Sequence, residues 1–287
     1  MKIIVAKDAG YCFGVREAVS TAFKAAGEYG EVFMLGDIVH NENVVNDLAQ
    51  AGAKVVTTVD DVPKDKPVLF RAHGTATSVL ANAQARGMKI IDATCPLVRD
   101  IHEEVRQLAQ DGYRIFIIGD HGHDEVIGIA SQVPEATVFA TPAEAGAIGK
   151  IKRAGVVSQS TQTIENVQEI INILMNKVHD LRFINTICFP TTRNQEQIKE
   201  LAATCEVVVI IGSFTSANSK RLTQLALERN RHSYQVTGAA DLNREWFKNI
   251  ETVGISAGAS TPDSIIAEVT REIEKIASEQ NQEINYG

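Results

Sequence analysis

The chain lacks the local signatures that usually mark a metal or nucleotide site. Its 287 residues hold only four cysteines, Cys12, Cys95, Cys188 and Cys205, and no two of them lie two residues apart. Separations of 83, 93 and 17 residues do not suggest the disulfide framework of a small secreted domain. No apolar stretch approaches the roughly 20 residues needed to cross a bilayer, and no signal or transit segment precedes the strand-like opening from Met1 to Ala6. Neither a Walker nor a Rossmann glycine fingerprint occurs, so no nucleotide is expected. Positive charge is also scarce. Twenty-eight Lys and Arg against 36 Asp and Glu leave a net charge of −8, which argues against nucleic acid or an anionic membrane surface as a partner. These absences leave a cytoplasmic protein with no nucleic-acid or membrane partner, and they leave small anionic substrates open.

What the chain does have is a repeat. Cys12, Cys95 and Cys188 are each followed 24 residues later by a glycine that ends an apolar run: Gly36, Gly119 and Gly212. Four residues beyond each glycine stand His40, His123 and Ser216. A threefold repeat that carries one cysteine per unit to a common axis makes a three-thiolate metal site with one position left open. On zinc such a site is hydrolytic; on a cubane cluster it leaves one iron to hold a substrate oxygen. Cys205 has no counterpart in the other units and reads as structural.

Each unit follows one recipe. A strand leads into the cysteine (2–6, 88–92 and 181–185), a helix follows, and then comes the buried apolar strand. A polar loop, a second helix, a further strand and a closing helix complete the unit. Val98, Ile101, Val105 and Leu108 form one helical stripe. Ile164, Val167, Ile171, Leu174 and Val178 form another, and Ile266, Val269, Ile273 and Ile276 a third. Thr261 reads as the N-cap of that last helix, with Pro262 at its first position and Asp263 in its first turn. Alternating strands and helices give the fold class, α/β, with parallel sheets and right-handed crossovers, and the threefold repeat gives three small lobes about a common axis. The lobes are expected at 13–95, 96–188 and 189–287, the last closed by the N-terminal strand within 1–12. The polar tail from Glu279 is expected to fray.

All three cysteines fall between a strand and a helix start, where ligands gather in open α/β sheets. His40 and His123 share one register, and His73 ends a strand expected to point at the same axis. Ser213, Ser216, Asn218, Ser219, Ser256, Ser260 and Thr261 crowd the strand ends of the third unit and suit an anion. Glu125, two residues from His123, is the acid placed to hand over a proton, whereas its equivalent Glu42 reads as solvated. His102, His121, His179 and His232 have no register partners and read as surface or core.

These residues resemble the 4-hydroxy-3-methylbut-2-enyl diphosphate reductase (IspH/LytB) family. The resemblance rests on the segments 10–15, 39–41, 72–74, 92–98, 122–126, 157–161, 186–192, 216–219 and 257–263, which occur in family order over nearly the whole chain. It implies a pseudo-threefold trefoil of three α/β lobes around a central [4Fe–4S] cluster on Cys12, Cys95 and Cys188 with one iron not bound by protein. It also implies a diphosphate held by His40, His73, His123, Ser216, Ala217, Asn218 and Ser260. Glu125, with His123 and Ser160, would supply the proton that lets the substrate hydroxyl leave as water. Ser160 stands where the family carries threonine and keeps the hydroxyl; Ala217 stands where many relatives carry serine and offers only its backbone N–H. The implied reaction is a two-electron, two-proton reductive dehydroxylation yielding isopentenyl and dimethylallyl diphosphates, fed by a ferredoxin or flavodoxin. Two rivals remain at this level. One is a cluster-bearing dehydratase similar to quinolinate synthase, which needs no electron donor. The other is a non-catalytic anion-binding module with a structural zinc.

Overall fold

Strands and helices alternate along the chain, as the apolar runs predict. The computed structural model describes residues 1–280 and 282–286. The chain begins with β1 (Lys2–Val5), α1 (Phe13–Tyr29), β2 (Val32–Leu35), α2 (Glu42–Gln50), β3 (Ala53–Val56), β4 (Val68–Phe70), α3 (Thr77–Ala85) and β5 (Ile90–Asp92). It continues through α4 (Pro96–Gln110), β6 (Arg114–Ile118), α5 (Asp124–Ala130), β7 (Ala136–Phe139), α6 (Pro142–Ala147), β8 (Ile151–Ser158), α7 (Ile164–Met175) and β9 (Val178–Phe183). The last stretch is α8 (Phe189–Thr204), β10 (Val207–Ile211), α9 (Ala217–Leu227), β11 (Ser233–Val236), β12 (Thr252–Ala257), α10 (Asp263–Glu279) and β13 (Asn285–Tyr286). Contacts divide the chain into two units: Met1–Phe13 with His40–Glu42 and Phe189–Gly287, and Gly14–Val39 with Asn43–Cys188.

The second unit holds two four-stranded parallel sheets, ordered β3-β2-β4-β5 and β7-β6-β8-β9. The first unit holds one, ordered β11-β10-β12-β1-β13. The strand order repeats, and β1 sits beside β12 where β5 sits beside β4 and β9 beside β8. Three α/β lobes, each on a parallel sheet, are thus what the described residues form. The N-terminal strand joins the third sheet as the repeat requires, with Ile3 opposite Val253.

Burial on both faces explains the uninterrupted apolar strands. In β10, Val207, Val209 and Ile211 pack under Val269, Ile273 and Ile276 of α10, while Val208 and Ile210 meet Ile198 and Leu201 of α8 and Leu222 of α9. In β6, Phe116 and Ile118 meet Val167 and Leu174 of α7, while Ile115 and Ile117 meet Ile101, Val105 and Leu108 of α4. Each such side chain contributes roughly 1.5–3 kcal/mol by leaving water.

The structure corrects five local expectations. The strand into Cys95 begins at Ile90, and the strand into Cys188 covers Val178–Phe183 rather than 181–185. Val178 therefore belongs to β9 and not to the α7 stripe; the helix is capped at Asn176 and the chain turns. Helix α10 is capped at Pro262, one residue later than expected, because the Thr261 hydroxyl donates instead to the Ile211 carbonyl at 3.0 Å. Of the polar tail expected to fray, Asn285 and Tyr286 pair with Lys2 and Ile3, whereas residues 281 and 287 lie outside the described residues. The short strands β3, β7 and β11 were not expected at all.

Candidate active site

In the second unit the site is built at strand ends and helix starts. Cys95 is the N-cap of α4, with Pro96 behind it, and its N–H donates to the Ala72 carbonyl at 3.0 Å. That bond ties the thiol to the end of β4, one residue before His73. Gly14, two residues beyond Cys12, leaves the room Cys95 needs: a Cβ there would lie 2.4 Å from the sulfur. Cys188 directly precedes α8, and its N–H donates to the Ser160 carbonyl at 3.0 Å. Cys95 and Cys188 are half-buried thiols.

Ser160 is held by Glu125. The carboxylate is 1% exposed. Its two oxygens accept from the Ser160 N–H at 2.6 Å and the Ser160 hydroxyl at 2.8 Å. Glu125 lies in the first turn of α5, whose N-cap is His123. His123 Nδ1 accepts from the Glu125 N–H at 3.2 Å, so the neutral ring keeps its hydrogen on Nε2 as a donor for an anion. The His73 and His123 rings stand edge to face, centroids 5.7 Å apart and planes at 87°. Four sequence-predicted residues, Glu125, His123, Ser160 and His73, thus come together in this unit.

Residues outside the expected set hold them there. Arg71 Nη1 donates to Asp124 Oδ2 at 2.5 Å, which binds the end of β4 to the start of α5. Gly36, at φ +70°, lies under that guanidinium; a Cβ there would be 2.6 Å from Nη1. Gln159 is fully buried and accepts from the Asp120 N–H at 2.9 Å while donating to Thr161 Oγ1 at 2.8 Å. Arg71 and Gln159 lie inside or beside the family segments, but only the folded contacts reveal what they do. His121, left outside the site, faces Glu144 at 2.8 Å on the surface. The Ala140 N–H first, and then His121, hold that carboxyl below its usual range.

In the first unit the polar groups sort themselves. The Cys12 N–H donates to the Ala259 carbonyl at 3.3 Å, beside Ser260. Ser260 Oγ donates to the His40 carbonyl at 3.1 Å, which brings His40 and Ser260 together. Ser216 is the N-cap of α9, accepting from the Ser219 N–H at 3.3 Å, so that Ala217 opens the helix. Asn218, in the same first turn, is 6% exposed, and neither side-chain atom has a hydrogen-bond partner. Buried amides are normally satisfied, so this one keeps hydrogen-bonding capacity for a molecule from outside the chain.

Other hydroxyls of the expected cradle are committed elsewhere. Ser213 Oγ donates to Glu42 at 2.7 Å, Ser256 Oγ to Asn194 Oδ1 at 3.3 Å, and Thr261 to Ile211. Glu42 is therefore a hydrogen-bond acceptor and not merely solvated. Ser219 Oγ is buried against Gly212 and Gly258, where a Cβ on either glycine would lie 2.2 Å away. Phe13 and Phe189, the residues after Cys12 and Cys188, stack with centroids 5.7 Å apart and planes at 9°. Cys205 packs in the core, and burial pushes its thiol up, as a structural cysteine should.

Residues 3–274 match the model of the LytB protein family. The chain belongs to the LytB family. Among its LytB relatives, the 4-hydroxy-3-methylbut-2-enyl diphosphate reductase of Geotalea uraniireducens is 39% identical over 282 residues, covering 98% of this chain and 100% of that protein. The enzyme of the same name from Geotalea daltonii is 40% identical over 283 residues, with the same coverage. The structure of the E-1-hydroxy-2-methyl-but-2-enyl-4-diphosphate reductase from Plasmodium falciparum superposes with a TM-score of 0.92 at 25% identity, covering 99% of this chain and 91% of that one. A second LytB structure, of an (E)-4-hydroxy-3-methyl-but-2-enyl diphosphate reductase described as the terminal enzyme of the non-mevalonate pathway, gives 0.71 at 36% identity, covering 96% and 100%. Among the described residues, no helix is long and apolar enough to cross a membrane.

Proposed function

We propose that this protein reduces 4-hydroxy-3-methylbut-2-enyl diphosphate to isopentenyl and dimethylallyl diphosphates, the terminal step of the non-mevalonate route. The observation that carries the reading is the buried Glu125–Ser160 pair, hydrogen-bonded one step from the Cys188 backbone, in a chain of the LytB family.

The three cysteines fit a [4Fe–4S] cluster by their own chemistry. Cys12, Cys95 and Cys188 are half-buried thiols, each directly before a helix, where the N–H groups favour negative charge. Gly14 leaves the Cys95 sulfur space that any side chain would fill. Phe13 and Phe189, the residues that follow Cys12 and Cys188, stack on one another. When bound, the cluster supplies electrons singly and an iron without a protein ligand that acts as a Lewis acid.

The chain's own residues do the rest. His40, His73, His123, Ser216, Ala217, Asn218 and Ser260 hold the diphosphate, with helix N–H groups and imidazole N–H donors neutralising its charge. Asn218 gains the partners it lacks within the protein. Glu125 passes a proton through Ser160 Oγ to the substrate hydroxyl, so that the C–O bond breaks with water leaving; two electrons and a second proton, which forms the new C–H bond at either end of the allyl fragment, complete the two products. Positioning by this shell lowers the barrier by several kcal/mol. A ferredoxin or flavodoxin delivers the electrons, and four dispersed cysteines suit a reducing cytoplasm.

The test is anaerobic purification followed by iron and sulfide analysis and turnover with and without reductant. We expect close to four irons and four sulfides per chain and reductant-dependent product. Zinc without sulfide, or turnover indifferent to reductant, would sink the reading.

A further inference from the structure

His102 lies outside the residues that would touch substrate, yet it packs beneath the supports of two of them. It sits on the buried face of α4 with Val98, Ile101, Val105 and Leu108, and is 8% exposed. A Cβ on Gly74 would lie 2.9 Å from its Cε1 and 3.2 Å from its Nε2, and one on Gly128 would lie 3.4 Å from the same Nε2. The ring therefore packs against two backbones beside the place where they meet, since a Cβ on Gly128 would also lie 3.7 Å from the Gly74 carbonyl carbon. One is the turn after His73, where Gly74 has φ +83°. The other is α5, which begins after His123, carries Glu125 in its first turn and reaches Gly128 one turn later. Both glycines matter through the side chain they lack.

Nε2 is buried with no hydrogen-bond partner. The same ring walls a cavity of about 210 Å³ that is also lined by Thr75, Asp92, Arg99 and Arg106. Truncation would merge the space the ring fills with this cavity and leave the His73 turn without a floor.

We propose that His102 is a positioning residue, a buttress that fixes how the His73 turn packs on the Glu125 helix. The proposal rests on the reading of His73 as a diphosphate anchor and Glu125 as the proton source. The His73 and His123 rings, which meet edge to face, belong to the two elements that the His102 ring braces.

The experiment compares His102→Ala, His102→Gln, His102→Ala with Gly128→Ala, and His73→Ala, each as anaerobic holoenzyme. Affinity for inorganic diphosphate and for the allylic substrate is measured by calorimetry, alongside kcat, KM, iron content and far-ultraviolet circular dichroism. For His102→Ala we expect a KM rise of about fivefold and a kcat loss of about tenfold, at unchanged iron content and helicity, since misplacement near 1 Å costs up to about a hundredfold. Adding Gly128→Ala refills part of the vacated space and should recover about threefold in kcat/KM. A purely structural role would lower Tm and leave kcat and KM of the folded enzyme at wild-type values; that result overturns the proposal. If His102→Ala does not fold, His102→Gln decides, with a KM rise of about threefold expected and wild-type kcat and KM overturning it. Should His73→Ala leave diphosphate affinity unchanged, the underlying reading fails. Should His73→Ala weaken binding while the His102 variants do not, this inference alone fails.

Discussion

Glu125 and Ser160 are joined twice, through the serine N–H at 2.6 Å and its hydroxyl at 2.8 Å. The first bond survives any substitution of Ser160 except proline, and the second depends on the hydroxyl. The pair thus separates holding the carboxylate from moving a proton. Ser160→Ala should cut kcat by about tenfold to a hundredfold with little change in KM, and Ser160→Thr should retain activity. Glu125→Gln should cost a factor of about 10²–10⁴ in kcat. Steady-state kinetics at matched cluster absorbance checks all three, and unchanged turnover in Glu125→Gln removes it from the proton path.

Gly14 is a test of the cysteine set that touches no cysteine. Its Cβ would fall 2.4 Å from Cys95 Sγ, so Gly14→Ala must displace the thiol. Iron content after anaerobic reconstitution should drop well below that of wild type. Gly27, on the same helix, has nothing within 4 Å of its Cβ position, and Gly27→Ala should leave iron content intact and raise stability by roughly 0.5–1 kcal/mol.

Asn218 links binding to stability. Its amide is buried with both polar atoms unsatisfied, a burden of about 1–3 kcal/mol in the ligand-free protein. Asn218→Ala should raise KM about tenfold, the loss of a charge-assisted hydrogen bond. Its Tm, read by thermal denaturation without ligand, should stay level or rise. A marked fall in Tm with normal KM would show that the amide is structural.

Burial holds the His102 pKa down to about 4, with Arg106 adding to the effect and Asp92 opposing it, against 6.5 in the unfolded chain. Arg99 and Glu103 line the cavity beside it, and His73 precedes the Gly74 turn on which it packs. Between those two values the unfolded chain binds the extra proton. The stability His102 contributes is therefore full above pH 6.5, falls as pH drops toward 4, and is lost below it, a swing of about 2–3 kcal/mol. Urea unfolding at pH 7.0 and 4.5 should show His102→Gln losing less stability on acidification than wild type. Equal losses would place the acid sensitivity elsewhere.

Much of the fold was legible because buried parallel strands are written as apolar runs. The runs ending at Gly36, Gly119 and Gly212 are β2, β6 and β10, and three stripes of helix residues face the core. The strands β3, β7 and β11 escaped notice because they are short and only partly buried, so their sequences lack a continuous apolar signal. Val178 extends the α7 stripe numerically, yet the turn at Asn176 hands it to β9. The cysteines, His40, His123 and Glu125 were legible through repeat register. Arg71, Gln159 and His102 were not, since each acts through a partner distant in sequence: Asp124, Asp120 and the two glycines at 74 and 128.

The place of β1 has a consequence for how the chain matures on the ribosome. Lys2 pairs with Thr252, so β1 waits for a partner strand that is synthesised about 250 residues later. At about 5–20 residues per second, that delay is roughly 12–50 seconds. Until then Ile3 has neither its sheet neighbour nor the α10 side chains that cover it. The lobe carrying Cys12 is expected to close only once β12 has emerged, well after the sheets around Cys95 have had time to form.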